Sequence, residues 1–220
     1  VEGQTELNSR GAFPEIEVFE AELVDVGLRI GRIRELDNGH TYVRIATFVL
    51  PDFTVVPGGY PNWHVPIDDS RHWKYTFTVD REKALDPKLI EERRSQMDDD
   101  YRPHRNRANR YLQDRDSMRV ESYCGIGLNF QIQDVCATEG MGPIQDRSQE
   151  HLEASDAPIV ISRKILTKAI RDVQEGKDPP GVVRDPAKNR FPGVIGTNGV
   201  LPKGMDWKAY CKSLEEKTGK

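Results

Sequence analysis

The chain has 220 residues and a mass of 25.1 kDa, enough for one large domain or two small ones that share a core. Its 32 Lys and Arg against 36 Asp and Glu give a formal charge of −4, which argues against a nucleic-acid or membrane surface as the main partner. The sequence contains no apolar run of about 18 residues, so no membrane span is predicted. A charged-then-apolar signal segment is not found at its N-terminus either. Three cysteines without a CxxC pair favour reduced thiols in the cytoplasm over a disulfide framework.

The N-terminal third predicts β-structure. Residues 1–14 are polar and are interpreted as an arm or linker, and strand-like alternation follows. Asp37-Asn38-Gly39 is a tight-turn signal, and the β-rich run Thr41–Leu50 comes directly after it, so a hairpin is predicted. Many prolines and glycines in residues 51–66 predict a loop. Residues 72–79 predict another strand whose large side chains share one face: Trp73, Tyr75, Phe77 and Val79.

Charge dominates residues 81–120, which offer little apolar surface to bury and predict a long excursion. Its arginine run, Arg102–Arg119, is interleaved with tyrosines, a pattern that can grip single-stranded nucleic acid. Aspartates within the run and the acidic chain favour a salt-bridged arm instead, and no nucleic-acid partner is expected. The cluster Asp98-Asp99-Asp100 lacks the ligand spacing of a calcium loop and is interpreted as a solvated charge run.

The C-terminal half predicts helices. A short helix is predicted at Ile132–Thr138, and Pro143 suits the first turn of another over 144–152. The clearest helix starts with Ser155 as its N-cap, carries apolar residues at helical spacing, and ends at Gly176. An antiparallel sheet followed by helices makes an α+β fold.

Candidate metal ligands and nucleophiles are sparse. The five histidines show no close pair of the kind that holds a metal on one helix: His40, His64, His72, His104 and His151. Cys124 and Cys136 have no nearby base in the sequence, so buried, unreactive thiols are the default expectation.

The most specific stretch runs from Gln133 to Leu152 and reads QDVCATEGMGPIQDRSQEHL, followed by a Ser-Asp helix start and an arginine-bearing helix. It resembles the C-terminal part of the catalytic domain of Rieske-type non-haem iron aromatic-ring oxygenases, in the branch of phthalate dioxygenases and aromatic-acid O-demethylases. The strand Thr41–Ile45 and the turn His64–Asp69 are similar to further parts of that domain.

The resemblance implies a mononuclear Fe(II) held by two histidines and one carboxylate, with positions left open for O₂. The carboxylate of the Gln-Asp pair maps onto Asp134. On a helix, Asp134 would share a face with Phe130, Ala137 and Met141, which supports an inward-facing carboxylate. From the residues alone, an exposed Asp that caps a helix or pairs with an Arg is the competing interpretation. The family's histidine pair and its Rieske [2Fe–2S] motifs lie upstream of the matching region and are not present in this sequence. We therefore expect these residues to be incomplete on their own and to be a fragment of a longer polypeptide rather than a naturally short relative.

The resemblance also implies a helix-grip-like fold, in which a curved antiparallel sheet packs on a long C-terminal helix and encloses an apolar cavity for one aromatic ring. We expect residues 15–176 to form the catalytic domain, with a charged excursion at 81–120. Residues 177–220 are expected to be coil that ends in a short helix at Asp206–Glu216.

The expected function is the catalytic portion of an oxygenase that hydroxylates or O-demethylates an aromatic, carboxylated substrate with O₂ and electrons from a flavin/iron–sulfur reductase or ferredoxin. A homotrimer is implied, with the 81–120 excursion as a possible contact. Arg44 on the central strand is a candidate partner for the substrate carboxylate, although a strand arginine paired with a neighbouring acid is an equal alternative. The competing class is a non-enzymatic module that binds an aromatic ligand without iron, and a third possibility is RNA binding through the arginine run.

Overall fold

A computed structural model describes residues 17–58, 60–79 and 84–218, the side chains of Tyr60 and Leu89 excepted, so the predicted arm at 1–14 lies outside the described residues. Seven strands form one sheet: Glu17–Val24 (β1), Gly27–Glu35 (β2), Thr41–Val49 (β3), Phe53–Val56 (β4), Tyr60–Asp68 (β5), Arg71–Thr76 (β6) and Thr197–Leu201 (β7). The α-helices of the described residues are Pro87–Arg94 (α1), Phe130–Gly140 (α2), Ala157–Gln174 (α3) and Trp207–Thr218 (α4). Short 3₁₀ turns occur between them.

The strands follow one another in the order β1 to β6, with β7 paired to β3, and the registered pairs are antiparallel. The hairpin predicted around Asp37-Asn38-Gly39 is confirmed: β2 and β3 pair from Gly27 opposite Val49 to Glu35 opposite Thr41. The long helix α3 contacts β1 and β2. These observations confirm the predicted α+β class with an antiparallel sheet.

The loop predicted at 51–66 is wrong, because β4 and most of β5 occupy it. The run Phe53–Val56 has strong strand propensity, and Phe53 packs edge-on against Trp63 with ring centroids 6.2 Å apart. Pro61 sits within β5 opposite Val55, where it removes one donor without ending the strand. The coil predicted at 177–205 is likewise wrong in part, because it contains β7, which pairs with residues Thr41–Ile45 of β3.

The helix predicted at 144–152 is also wrong, since only a 3₁₀ turn at Arg147–Gln149 forms there. The Asp146 carboxylate accepts a hydrogen bond from the Ser148 amide and closes that turn locally. The long helix α3 begins at Ala157 with Asp156 as its N-cap, one residue later than a Ser155 cap would start it. The reason is that Ala154–Asp156 is a 3₁₀ turn in which Asp156 accepts from the Glu153 amide. Gly176 follows its end with a φ of +72°, as predicted.

The sheet is covered on one face by α4. Trp207 and Cys211 of this helix are buried against strand and loop residues of the core: Val43, Ile45, Ile195 and Leu201. Gly31 makes the close approach possible, since a Cβ there would lie 3.0 Å from the Trp207 ring. The Trp207 indole N–H donates to Glu20 of β1 at 2.8 Å. Apolar packing and one polar anchor therefore hold α4 on the sheet.

A buried ion-pair network supports the same face. Arg29 of β2 is 2% exposed, and its guanidinium donates to Glu22 at 2.8 Å, to the Gly193 carbonyl at 3.0 Å and to Glu215 of α4. The network links the sheet, the 193 loop and the C-terminal helix.

The chain divides into two compact units. One contains the described residues of 1–65, 73–78 and 151–220, including the sheet core, α3 and α4. The other contains the described residues of 66–72 and 79–150, including α1 and α2, and buries Tyr111, Ile126 and Ile132.

Candidate functional site

Asp134 lies in the middle of α2, and its side chain is exposed. Its carboxylate forms no hydrogen bond or ion pair with any residue that the structure describes. The competing interpretation, an Asp that caps or pairs with an arginine, is therefore not what the described residues show. The apolar face shared by Phe130 and Met141 is exposed at 66% and 51%, respectively, so the described chain leaves this side of α2 uncovered rather than turned inward.

The start of α2 is anchored by side chains beside Asp134. The Asn129 carboxamide accepts from the Gln131 amide and caps the helix. The Gln133 side-chain amide donates to the Gly127 carbonyl at 2.7 Å, and the Ser122 hydroxyl donates to the same carbonyl at 3.1 Å. The Gln of the Gln-Asp pair thus fixes the helix to the preceding turn, while the Asp is left free.

The far end of α2 is held by Tyr111, which the sequence did not single out. Its hydroxyl donates to Glu139, and burial together with the nearby carboxylate raises the pKa of Tyr111. Arg110, Tyr111 and Leu112 all have positive φ, an arrangement that is costly for such residues. The Arg105 guanidinium donates to the carbonyls of Tyr111 and Leu112 at 3.0 and 3.1 Å and so stabilises this backbone conformation. No sequence signal marks this conformation, since Arg, Tyr and Leu do not favour it.

The five histidines lie in different segments of the described chain. His40 follows the hairpin turn, His64 and His72 lie on β5 and β6, His104 lies between α1 and α2, and His151 precedes α3. Within the described ranges, no three His, Cys, Asp or Glu side chains gather closely enough to hold a metal ion. Asp98 accepts from the amides of Asp100 and Arg102, so it stabilises a turn.

The three cysteines are unpaired. A hydrogen bond with the Ser122 hydroxyl and one from the Ile126 amide lower the pKa of the half-buried Cys124 thiol, and Cys136 is half-buried on α2. Burial raises the pKa of Cys211 to about 11. The expectation of full burial is therefore wrong for Cys124 and Cys136, which are both half-buried, and Cys211 is the buried thiol.

Arg44 lies on the sheet face opposite to Val43 and Ile45, because strand side chains alternate. Its register partners are Arg32 on β2 and Asn198 on β7. Arg32 is already bound by Glu17 through two hydrogen bonds of 2.8 and 2.6 Å. Arg44 has no carboxylate partner in the described part of the chain, so the structure does not support the alternative of a strand ion pair.

Residues 12–220 match the family described as LigXa C-terminal domain like, so the chain belongs to that family. It is 31% identical over 206 residues to the oxygenase subunit of phthalate 4,5-dioxygenase from Pseudomonas putida, which covers 87% of this chain and 46% of that protein. It is 30% identical over 205 residues to the oxygenase subunit of 3-chlorobenzoate-3,4-dioxygenase from Comamonas testosteroni, covering 81% of this chain and 46% of that one. A shorter match, 40% over 58 residues, links 26% of the chain to 14% of the oxygenase subunit of 5,5'-dehydrodivanillate O-demethylase from Sphingobium sp..

These findings confirm the resemblance to the C-terminal domain of Rieske-type aromatic-ring oxygenases. The chain spans about half the length of the first two relatives. None of the described helices is both long and apolar enough to cross a membrane.

Proposed function

We propose that this chain is the catalytic portion of a Rieske non-haem iron oxygenase that hydroxylates or O-demethylates an aromatic, carboxylated substrate. The proposal is supported by the relatives, which are named as oxygenase subunits of aromatic dioxygenases or an O-demethylase. The observation that carries it is the unpartnered Asp134 carboxylate on a helix whose two ends are anchored.

The residues present fit one part of an iron site. Asp134 is a hard oxygen ligand without a competing cation, as one carboxylate of a two-histidine, one-carboxylate set requires. No described histidine joins Asp134 in a metal-binding group, so we propose that the two imidazoles come from residues outside the described part. Bound Fe(II) would supply the activation of O₂. The chain's own contribution is to hold the Asp134 carboxylate through the anchored helix α2.

Arg44 is the proposed partner of the substrate carboxylate. Arg32, directly opposite on β2, is already paired with Glu17, so Arg44 is the guanidinium on this part of the sheet that is left to bind an anion. Asn198 on the other side offers an amide donor to the same anion. The contribution proposed for these residues is orientation of an aromatic acid by its carboxylate.

The electron donors and the oligomeric state that we propose are those expected of a Rieske oxygenase. Electrons would come from a flavin/iron–sulfur reductase or ferredoxin through a Rieske [2Fe–2S] centre outside these residues. We propose a homotrimer and a cytoplasmic location, with the charged segment at 84–120 available as a subunit contact.

The test is a chimera of this chain with the remaining half of the Pseudomonas putida relative. Metal analysis and the Rieske absorbance are measured for the chimera, for Asp134→Asn and for Asp25→Asn, an exposed Asp in the β1–β2 turn. We expect mononuclear iron to be lost in Asp134→Asn alone, with the Rieske absorbance intact in all three. Equal iron content in Asp134→Asn and Asp25→Asn would contradict the assignment.

The non-enzymatic alternative gains no support from the relatives reported above, all of which are oxygenase subunits. It predicts that the chimera binds an aromatic acid with the same affinity with and without iron and shows no O₂ consumption. Substrate-dependent O₂ uptake that disappears in Asp134→Asn would rule it out.

A further inference from the structure

A groove runs along one face of α3, within the unit that contains the sheet core. It has a volume of about 500 Å³ and is lined by Leu152 and by α3 residues at helical spacing: Val160, Arg163, Lys164, Thr167, Lys168 and Arg171. None of the described strand residues lines it, so it differs from the apolar cavity expected between sheet and helix. It is open to solvent, and several of the side chains that line it are exposed: Leu152, Lys164, Thr167, Lys168 and Arg171.

Two of the four cations that line the groove, Arg163 and Lys168, interact with other residues of the chain. Lys168 forms an ion pair with Asp172 at 2.5 Å. Lys164 and Arg171 form no hydrogen bond or ion pair with any residue of the described ranges. The two cations without a partner among the described residues, Lys164 and Arg171, leave a local positive field on this helix face that favours an anion.

The spacing of the two unpaired cations limits what such an anion looks like. Lys164 and Arg171 are seven residues apart on one helix, or about 10.5 Å along its axis. The Thr167 side chain and the aliphatic stem of Lys168 lie between them, and Leu152 and Val160 add apolar surface at the N-terminal end. Inorganic anions use the charge alone, whereas this lining also offers contact to an apolar body.

We propose that the α3 groove is a binding site for an elongated organic dianion, with one carboxylate on Lys164, the other on Arg171 and an apolar body between them. The site uses no residue of α2, and it holds whether or not Asp134 binds iron. An acidic protein segment is the other class of occupant for a basic helix face, and the test below separates it.

The experiment is calorimetric titration of the purified 220-residue chain with biphenyl dicarboxylate, whose carboxylates lie at opposite ends of the two rings. Biphenyl dicarboxamide, sulfate and a decaglutamate peptide serve as comparison ligands. The variants are Lys164→Gln and Arg171→Gln, and Lys212→Gln on α4 makes the same charge change outside the groove.

We expect saturable binding of the dicarboxylate that weakens about tenfold in Lys164→Gln and in Arg171→Gln, since each loses one charge-assisted contact. Lys212→Gln and Asp134→Asn should bind as the unaltered chain does, and the dicarboxamide should bind far more weakly. The proposal is overturned if sulfate or decaglutamate binds as tightly as the dicarboxylate. It is also overturned if Lys212→Gln weakens binding as much as the groove variants do.

Discussion

Gln133 directly precedes Asp134, the candidate iron ligand, and its side-chain amide donates to the main-chain carbonyl of Gly127 at 2.7 Å. Adjacent residues on a helix point in directions about 100° apart, so Gln133 contacts the 122–127 turn while the neighbouring Asp134 side chain is exposed. In the Gln-Asp pair, the Gln133 side chain therefore fixes the helix, and the Asp134 carboxylate stays free to bind a metal ion.

Replacing Gln133 with Leu should loosen the first turns of α2. The Gly127 carbonyl would keep only the Ser122 hydroxyl as its side-chain donor, and one neutral hydrogen bond contributes about 1 kcal/mol. Hydrogen exchange over 130–140 should speed up accordingly. Gln131→Leu, on the same helix, is the control, because its side chain forms no hydrogen bond with the described residues. Equal exchange in both variants would contradict the anchoring role.

Removing the Tyr111 hydroxyl should free the other end of the same helix. Tyr111→Phe deletes the hydrogen bond to Glu139 and keeps the buried ring, so we expect a loss of about 1–2 kcal/mol in unfolding free energy. Tyr123 is 95% exposed, and Tyr123→Phe should leave the stability unchanged. Chemical denaturation of the three proteins measures the difference; matching midpoints would show that the hydroxyl contributes nothing.

Arg29 should be one of the most sensitive positions in the sheet. Arg29→Met leaves the carboxylates of Glu22 and Glu215, which are 30% and 31% exposed, without their shared cation. Because water reaches both, we expect a loss smaller than the ~3–5 kcal/mol that breaking a fully buried pair costs. Adding Glu22→Gln and Glu215→Gln to Arg29→Met should recover much of that loss in urea denaturation. A triple variant no more stable than Arg29→Met would locate the cost in packing rather than in unpaired charge.

The buried Cys211 thiol should lower the free energy of unfolding at alkaline pH. Its pKa is raised by burial from 9.0 to about 11, so the unfolded chain releases the thiol proton first as the pH rises. The stabilisation is complete below pH 9.0 and is lost between 9.0 and about 11, a fall of about 2–3 kcal/mol. Cys211→Ala should be less stable at neutral pH but should lack this part of the decline. Parallel pH profiles for the two proteins would refute the shift.

Arg44 should act on substrate affinity in the chimera described above. Arg44→Gln removes the proposed charge-assisted contact to the substrate carboxylate, which raises KM for an aromatic acid about tenfold with iron content unchanged. Arg34 lies on the same sheet face with its guanidinium 5.1 Å from the Tyr42 ring centroid, so Arg34→Gln is a charge-matched comparison. A KM that is the same in both variants would remove Arg44 from the proposed site.

Local signals predicted the β2–β3 hairpin and the C-terminal end of α3. They misplaced the start of α3 and predicted a helix at 144–152 that does not form. Asp37-Asn38-Gly39 and Gly176 each need a backbone conformation that few residues adopt, so the sequence marks them directly. Strands β4, β7 and most of β5 were missed because they lie in stretches rich in Pro and Gly. Strand β4 pairs with its sequence neighbours β3 and β5. Strand β7 joins β3 more than 150 residues away, and no local pattern encodes such a distant partner.

For the candidate site, the Gln-Asp pair identified the helix and the ligand through resemblance alone. Hydropathy could not have done so, since Phe130 and Met141 beside Asp134 are exposed in the described chain. Tyr111 escaped notice because its role depends on three successive left-handed residues that only the packed structure stabilises. Arg44 was ambiguous until the register placed Arg32 and Asn198, rather than an acid, on either side.

The position of Trp207 gives the protein an intrinsic optical reporter. Trp207 is 3% exposed, whereas Trp63 and Trp73 are 46% and 42% exposed. A soluble quencher such as acrylamide should therefore extinguish the emission of Trp63 and Trp73 first and leave a blue-shifted component from Trp207. Following that residual fluorescence would report the detachment of the C-terminal helix from the sheet in real time, without any added label.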